Sequence, residues 1–332
     1  MKKLSIIVPV YNEEETVELF YSTLSKVERL LEVNLELIFV DDGSKDRTLV
    51  KIKKLQKSHP EIHYISFSRN FGKEAALYAG LQKASGDFVA VMDVDLQDPP
   101  ELLPKMMRIL QEGDYDAVAT RRKNRRGESK VRSVFAHMFY HWINRVSSLE
   151  LVDGARDFRV MTRKMVDSVL SMPERERFSK GLFNWVGFNT YYISYENRER
   201  VAGKTSWSFW GLLKYAIESF VSFSTAPLVF VTSSGIFTCC LAILGAIVVV
   251  VRAILFPGSA VFGWPSLVVI ILFFSGVQLL SIGIIGRYVA EIYLEVKKRP
   301  VYIIREEKIV LGKRMLKLPK VKFFLKQVRS KI

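Results

Sequence analysis

The stretch Val91-Met-Asp-Val-Asp-Leu-Gln-Asp-Pro-Pro-Glu101 decides how this chain is read. It grows out of the apolar run Phe88-Val-Ala-Val-Met92, too short and too rich in β-formers for a helix, which predicts a buried strand. The strand ends in Asp93-Val-Asp95, so two carboxylates at i and i+2 emerge where strand becomes loop. Pro99 and Pro100 stop the strand and suit the first turn of a helix beginning at Glu101. Three acids and a Gln within six residues need counter-charge. A divalent cation with phosphate oxygens supplies it, and an acidic turn capping the next helix is the plainer alternative. The flanking chain decides between them.

Towards the N-terminus, strands and helices alternate. Leu4-Ser-Ile-Ile-Val-Pro-Val10 predicts a strand, with Tyr11-Asn-Glu-Glu-Glu15 as loop and helix start, and residues 16–31 carry a helical apolar pattern. Leu35-Glu-Leu-Ile-Phe-Val40 is a second strand ending at Asp41-Asp-Gly-Ser44, followed by a helix over 47–57. His63-Tyr-Ile-Ser-Phe67 is a third, and Asn70-Phe-Gly-Lys-Glu-Ala-Ala76 opens a third helix. This alternation predicts an α/β fold with a doubly wound, mainly parallel sheet, in which ligands bind beyond the carboxyl ends of strands. Tyr11–Glu13, Asp41–Ser44, Phe67–Lys73 and Asp93–Gln97 all fall there. Neither G-x-G-x-x-G nor G-x-x-x-x-G-K-[ST] occurs, so dinucleotide and P-loop binding are unsupported. Carboxylates instead suit a nucleotide held by sugar and base at Asp41 and Asp42, with its diphosphate on a metal at Asp93 and Asp95.

Downstream, Asp116-Ala-Val-Ala119 predicts another strand. Arg121-Arg-Lys-Asn-Arg-Arg-Gly-Glu-Ser-Lys-Val-Arg132 then places seven positive charges in twelve residues. It reads as a solvated basic loop near anionic lipid, or as a lid whose arginines clamp a phosphate. Residues 135–149 are aromatic and amphipathic. Asp157 lies between Arg156 and Arg159, a pattern open to a structural ion pair or a site role. Residues 179–187 predict a helix, Tyr191-Tyr-Ile-Ser-Tyr195 a strand, and 198–206 a second basic loop. Residues 207–223 form an amphipathic pattern whose Trp207, Phe209, Trp210 and Tyr215 suit a membrane interface.

No charged residue occurs between 219 and 251, nor between 253 and 286. Each run exceeds the roughly 20 residues needed to span a bilayer. Lys204, Lys214, Arg287, Lys297, Lys298 and Arg299 flank them, so the positive-inside rule puts both termini in the cytoplasm. A helix is expected to continue past Arg287 to Pro300, with a short strand at Val301-Tyr-Ile-Ile304. The tail from 313 to 332 holds eight Lys or Arg and no acid, which suits anionic lipid. The net charge of +15 carries no RNA-binding, zinc-finger or helix-turn-helix signature, so no nucleic-acid partner is expected. The adjacent Cys239 and Cys240 read as packing residues, the four histidines show no zinc spacing, and Met1-Lys-Lys enters the first strand without a signal-peptide cleavage site.

These motifs resemble family 2, GT-A-type inverting glycosyltransferases, and most of all the polyprenyl-phosphate branch, which includes dolichol-phosphate mannose synthases and bactoprenol-phosphate glucosyltransferases. The matching stretches are Ser5-Ile-Ile-Val-Pro-Val-Tyr-Asn-Glu-Glu14, Phe39-Val-Asp-Asp-Gly-Ser44, Ser68-Arg-Asn-Phe-Gly-Lys73, Met92-Asp-Val-Asp-Leu-Gln-Asp-Pro-Pro-Glu101, Arg156-Asp-Phe-Arg159 and Arg200-Val-Ala-Gly-Lys-Thr-Ser206. The resemblance implies a GT-A catalytic domain over 1–206, an interfacial helix over 207–224, transmembrane helices over 225–252 and 265–287, and a cytoplasmic basic tail over 288–332. It implies a nucleotide-sugar donor held by Pro9, Tyr11, Glu13, Asp42, Lys73, Arg200 and Lys204. Mg²⁺ or Mn²⁺ would sit at Asp93, Asp95 and Gln97, with the lipid phosphate on Arg121, Arg122 and Arg132. Asp157 and Asp95 take the catalytic roles, the former as the family's base or as the group that orients Arg159 or the sugar. One sugar, glucose by analogy, would pass from UDP to polyprenyl phosphate at the inner membrane; N-acetylglucosamine, N-acetylgalactosamine and mannose fit the same motifs. A homotetramer is implied by the same analogy. The departures are Ala136, where the mannose synthases have Ser, and Thr205-Ser206-Trp207, which lacks one expected lysine. A processive polysaccharide synthase would carry Gln-x-x-Arg-Trp and more spans, and a non-catalytic membrane scaffold would not need Asp93, Asp95, Gln97 and Asp157 together.

Overall fold

A computed structural model of the chain describes residues 2–123, 152, 154–172, 174–196, 226–255 and 263–309. The first strands are β1 (Lys3–Val10), β2 (Asn34–Asp41), β3 (Ile62–Phe67) and β4 (Phe88–Val91), joined by helices α1 (Val17–Glu28), α2 (Thr48–Ser58) and α3 (Lys73–Lys83). A 3₁₀ turn, Pro100–Leu102, then leads into α4 (Leu103–Glu112). Strands β5 (Ala117–Arg122) and β6 (Ala155–Thr162) are followed by α5 (Arg163–Leu170), α6 (Ser179–Trp185) and β7 (Thr190–Tyr195). Two long helices, α7 (Ala226–Leu255) and α8 (Trp264–Val296), precede β8 (Ile304–Lys308).

The eight strands form one mixed sheet in the order β7-β5-β6-β4-β1-β2-β3-β8. Its centre, β4-β1-β2-β3, is parallel, as the strand–helix alternation requires. The antiparallel pairs come where that alternation lapses, at β4–β6, β5–β6 and β3–β8. Side-chain alternation sorts the core into two layers. Leu4, Ile6, Val8, Leu37 and Phe39 face α1, α2 and α4, whose Phe20, Leu24, Ile52, Met106 and Leu110 complete that layer. Ile7, Ile38, Val40, Val89 and Val91 face α3, α5 and α6 through Ala76, Leu77, Met165, Val166 and Phe183.

Two local expectations shift. The helix expected from Glu101 starts as the 3₁₀ turn, because Pro104 as well as Pro100 lies in its opening residues. The strand expected at residues 301–304 forms over Ile304–Lys308. Tyr302 is instead drawn under the sheet edge, stacked on Phe67 at 4.9 Å with its hydroxyl donating to Gln82 at 2.6 Å. The charged strand that follows suits an edge, since Glu306 pairs with Lys53 at 2.7 Å and Glu307 with Lys83 at 2.8 Å. The second apolar helix runs on to Val296, one continuous element through Arg287. The amphipathic stretch 207–224 and the tail from 310 lie outside the described residues.

Helices α7 and α8 contain stretches, Ala226–Gly245 and Val269–Val296, long and apolar enough to cross a membrane, and their most apolar windows are not buried. Phe230, Phe237, Leu244, Leu272, Phe273 and Leu279 are all mostly exposed. A core helix of a soluble protein would cover them, and so much apolar surface needs lipid. The chain is membrane-associated.

At the amino ends of the strands, Glu36 is buried and accepts from Lys3 Nζ (2.7 Å), Ser5, and the N–H and hydroxyl of Ser85 (2.9 and 2.8 Å). Burial alone would raise this carboxyl, but Lys3, Ser5 and Ser85 overturn that and hold it below the usual carboxylate range. A depressed carboxyl contributes stability above its unfolded pKa and loses it as pH falls through the folded value. Glu36→Gln is therefore expected to cost about 2 kcal/mol at pH 7. In thermal melts of the detergent-solubilised protein, the gap to wild type should narrow below about pH 4.

Candidate active site

Four loops leave the carboxyl ends of β1, β2, β3 and β4 side by side, and the first two are stitched together. Asn12 takes φ +54°. Its N–H donates to Ser44 Oγ (3.0 Å) and its Oδ1 accepts from the Lys45 N–H (2.8 Å). Glu13 N–H donates to Thr48 Oγ1 at 2.8 Å. Pro9 pairs with Val40 near the end of β1, and Tyr11 stands 40% exposed at the rim. Asp41 is spent on structure, accepting from Ser44 N–H (3.0 Å) and Ser66 Oγ (2.7 Å).

Asp42 ties the second loop to the third, accepting the N–H groups of Phe71 (2.6 Å) and Gly72 (2.9 Å). Burial raises its carboxyl above the usual range and those two donors only partly offset it. Gly43 is required at this junction: it has φ +70°, and a Cβ there would lie 2.4 Å from the Arg69 backbone.

Lys73, the first residue of α3, reaches into the centre. Its Nζ lies 2.6 Å from Asp93 Oδ1 and 2.6 Å from Asp157 Oδ2. The antiparallel register that sets Val91 opposite Arg159 makes this possible, since Asp93 and Asp157 are each two residues further on towards the crevice. Lys180, from α6, approaches the other oxygen of Asp157 at 3.7 Å. Burial would raise the Asp157 carboxyl, but Lys180, Lys73 and Arg159 hold it far below the usual range. Burial would lower the Lys73 ammonium, and Asp157 and Asp93 raise it instead. Asp157 is thus a permanent anion between two lysines, and its ion-pair partners are not the arginines beside it in sequence.

The loop after β4 is held by a second cation. Arg156 donates through Nε to Asp98 (3.2 Å) and through Nη2 to Gln97 Oε1 (2.9 Å). Tyr195 OH also donates to Asp98, and its pKa is pushed up to about 12 by burial and then by that carboxylate. Leu96 at φ +56° makes the turn, and Asp95 Oδ1 accepts from the Gln97 N–H at 3.2 Å. Arg122 reaches Gln97 at 3.5 Å, whereas Arg121 bonds Ser194 Oγ at 2.7 Å, so the two arginines leave β5 on opposite sides. Arg132, Arg200 and Lys204 lie outside the described residues. Asp98, Arg156 and Lys180 escaped sequence reasoning as individuals, because their significance depends on the β4–β6 register and on α6 folding back.

A sheet with a parallel centre whose carboxyl-end loops present acids, lysines and arginines in one crevice, on a membrane-associated chain, suits substrates that carry anionic phosphate groups. Comparison narrows this. The model of the family described as glycosyl transferase family 2 matches residues 5–170, and the chain belongs to that family. A putative glycosyltransferase CsbB of Bacillus subtilis is 45% identical over 306 residues, covering 92% of each chain. A prophage bactoprenol glucosyl transferase homolog of Escherichia coli is 42% identical, covering 92% of this chain and 99% of that one. Among solved structures, glucosyl-3-phosphoglycerate synthase of Mycobacterium tuberculosis with Mn²⁺ and UDP-glucose overlaps 66% of this chain and 77% of its own, at 20% identity and a TM-score of 0.42.

Arg156→Ala should free the turn carrying Asp95 and Gln97. Displacement by about an ångström at such a site costs about a hundredfold, so sugar transfer should fall by that order while the circular dichroism spectrum stays unchanged.

Proposed function

We propose that this glycosyltransferase moves one glucose, with inversion, from UDP-glucose to polyprenyl phosphate at the cytoplasmic face of the membrane. One observation carries the reading: Asp93, Asp157 and the cations Lys73, Lys180 and Arg156 meet in one crevice of a membrane-associated chain. Relatives named for bactoprenol glucosyl transfer support the choice of sugar and lipid. In this reading the catalytic unit is residues 1–206, and the basic flanks of both spans favour a cytoplasmic position for it and for the two termini.

Asp93 and Asp95 offer hard oxygen donors that fit Mg²⁺ or Mn²⁺. Among the described residues no three His, Cys, Asp or Glu converge, so phosphate oxygens and water would complete the shell, with Gln97 beside it. When bound, such an ion would supply positive charge for the departing diphosphate. Pro9, Tyr11, Glu13 and Asp42 border the nucleotide's side of the crevice, and Lys73, Arg200 and Lys204 serve its diphosphate. Arg122 and Arg132 remain the lid's candidates for the lipid phosphate, with Arg121 at its outer edge.

The acceptor oxygen attacks the anomeric carbon as the bond from that carbon to the UDP oxygen breaks. A phosphate monoester has its second pKa near 6 and arrives already ionised at neutral pH. No base is needed, and Asp157, clamped by two lysines, is poorly suited to be one. Its role is to hold Lys73 and Lys180 in place.

Transfer from radiolabelled UDP- and GDP-sugars to undecaprenyl phosphate tests the function. One sugar should reach lipid with Mg²⁺ or Mn²⁺, none with EDTA, and none with Asp95→Asn; absence of any lipid product would sink the reading. The pH profile tests Asp157. Activity should fall below about pH 6 as the acceptor gains its second proton. In Asp157→Asn, kcat should drop by about tenfold to a hundredfold with that limb at the same pH. A limb that disappears in the variant would make Asp157 the base after all.

A further inference from the structure

Beneath α6, beside the crevice, lies a small cavity lined by Arg159, Lys180, Asn184, Tyr192 and the apolar Phe178 and Val152. It has room for a water-sized group. Arg159 is 3% exposed and stacks on Phe183 at 4.1 Å. Its Nη2 donates to the Arg156 carbonyl at 3.2 Å, and its Nε has no hydrogen-bond partner among the described residues. Burial pushes this guanidinium below its usual range, and Tyr192, Asp157 and Glu74 offset that only in part. Lys180 shares Asp157 with Lys73, and its Nζ also donates to the Ala155 carbonyl at 3.3 Å. Tyr192 OH donates to Asn184 Oδ1 at 3.3 Å, which leaves the Asn184 amide as a donor. Among the described residues, the lining contains two cations and neutral groups but no acid.

A buried guanidinium with an unused donor is costly to keep unless something anionic completes it. Resting on the polyprenyl-phosphate reading above, we propose that this pocket receives one oxygen of the acceptor phosphate, held by Lys180 and Arg159 with help from Asn184. The pocket adjoins Asp157, so a phosphate seated there has a second oxygen close to the centre defined by Lys73 and Asp93. Asp157 then fixes the acceptor's position through Lys180. The neutral hydroxyls of a donor sugar would not need two cations.

The test separates acceptor from donor. Lys180→Met removes a partly exposed cation, and Asn184→Asp places a carboxylate in the pocket without changing its shape. Each should raise KM for undecaprenyl phosphate about tenfold to a hundredfold, the worth of a charge-assisted hydrogen bond, with KM for UDP-glucose within about twofold. Equilibrium binding of a short-chain polyprenyl phosphate, without donor, should weaken in parallel. Acceptor KM and binding unchanged in both variants, or a rise in donor KM alone, would overturn the pocket and leave the transfer reaction standing. Wild-type enzyme that binds the short-chain phosphate, loses it in both variants and yet transfers to no lipid would overturn the function and keep the pocket. Arg159→Lys, retaining charge while shortening reach, should fall between wild type and Lys180→Met.

Discussion

The Lys73 ammonium between Asp93 and Asp157 is the contact on which the site depends. The two carboxylates come from neighbouring antiparallel strands, and their register forces them together at the mouth of the sheet. Unscreened, they would repel one another and each would resist ionisation. Lys73 is delivered by the first turn of α3, and that helix is placed by packing Ala76, Leu77 and Leu81 into the sheet. The core therefore sets the electrostatics. A cation that took a share of Asp93 would free part of Lys73 for a phosphate, so the site could exchange partners without stranding a charge.

Around that centre, charge is divided between groups that build and groups that bind. Asp41, Asp42, Asn12 and Asp98 spend their oxygens on backbone N–H groups, hydroxyls or Arg156. They hold the loops in register before any ligand arrives, which is the preorganisation that electrostatic catalysis needs. Asp93, Lys73 and Lys180 join Asp157 in one run of ion pairs and keep part of their side chains open. These pairs can be traded for pairs with substrate.

How legible this was depended on the range of the interactions. The central strands were readable because Ser5-Ile-Ile-Val-Pro-Val10, Leu35-Glu-Leu-Ile-Phe-Val40 and Phe88-Val-Ala-Val91 are apolar runs ending in polar clusters, a purely local signal. The acids of the second loop read as nucleotide ligands, and what their sequence could not show is that Asp42 also accepts from backbone groups 29 and 30 residues away. Arg156 and Lys180 could not be assigned at all without knowing that β6 runs against β4 and that α6 returns to the crevice. The displaced edge strand shows the same limit in reverse: Val301-Tyr-Ile-Ile304 has the better β composition, but Tyr302 finds a larger gain under the edge, against Phe67.

The apolar helices and the crevice are also mechanically joined. Glu295, near the end of α8, accepts the Arg175 N–H at 2.7 Å, and Arg287 lies 3.7 Å from Glu176. That segment runs directly into α6, where Ser179 is bonded to Glu74, the residue after Lys73, and where Lys180 contacts Asp157. Beyond α8, the chain returns to close the sheet edge as β8. The end of a membrane-associated helix thus touches the segment carrying Lys180 and the sheet carrying Asp93. A lipid keeps its phosphate at headgroup depth, and an enzyme that uses it must hold its cations at that depth. The contacts of α8 with Arg175 and Glu176 tie the Lys180 segment to the end of that apolar helix.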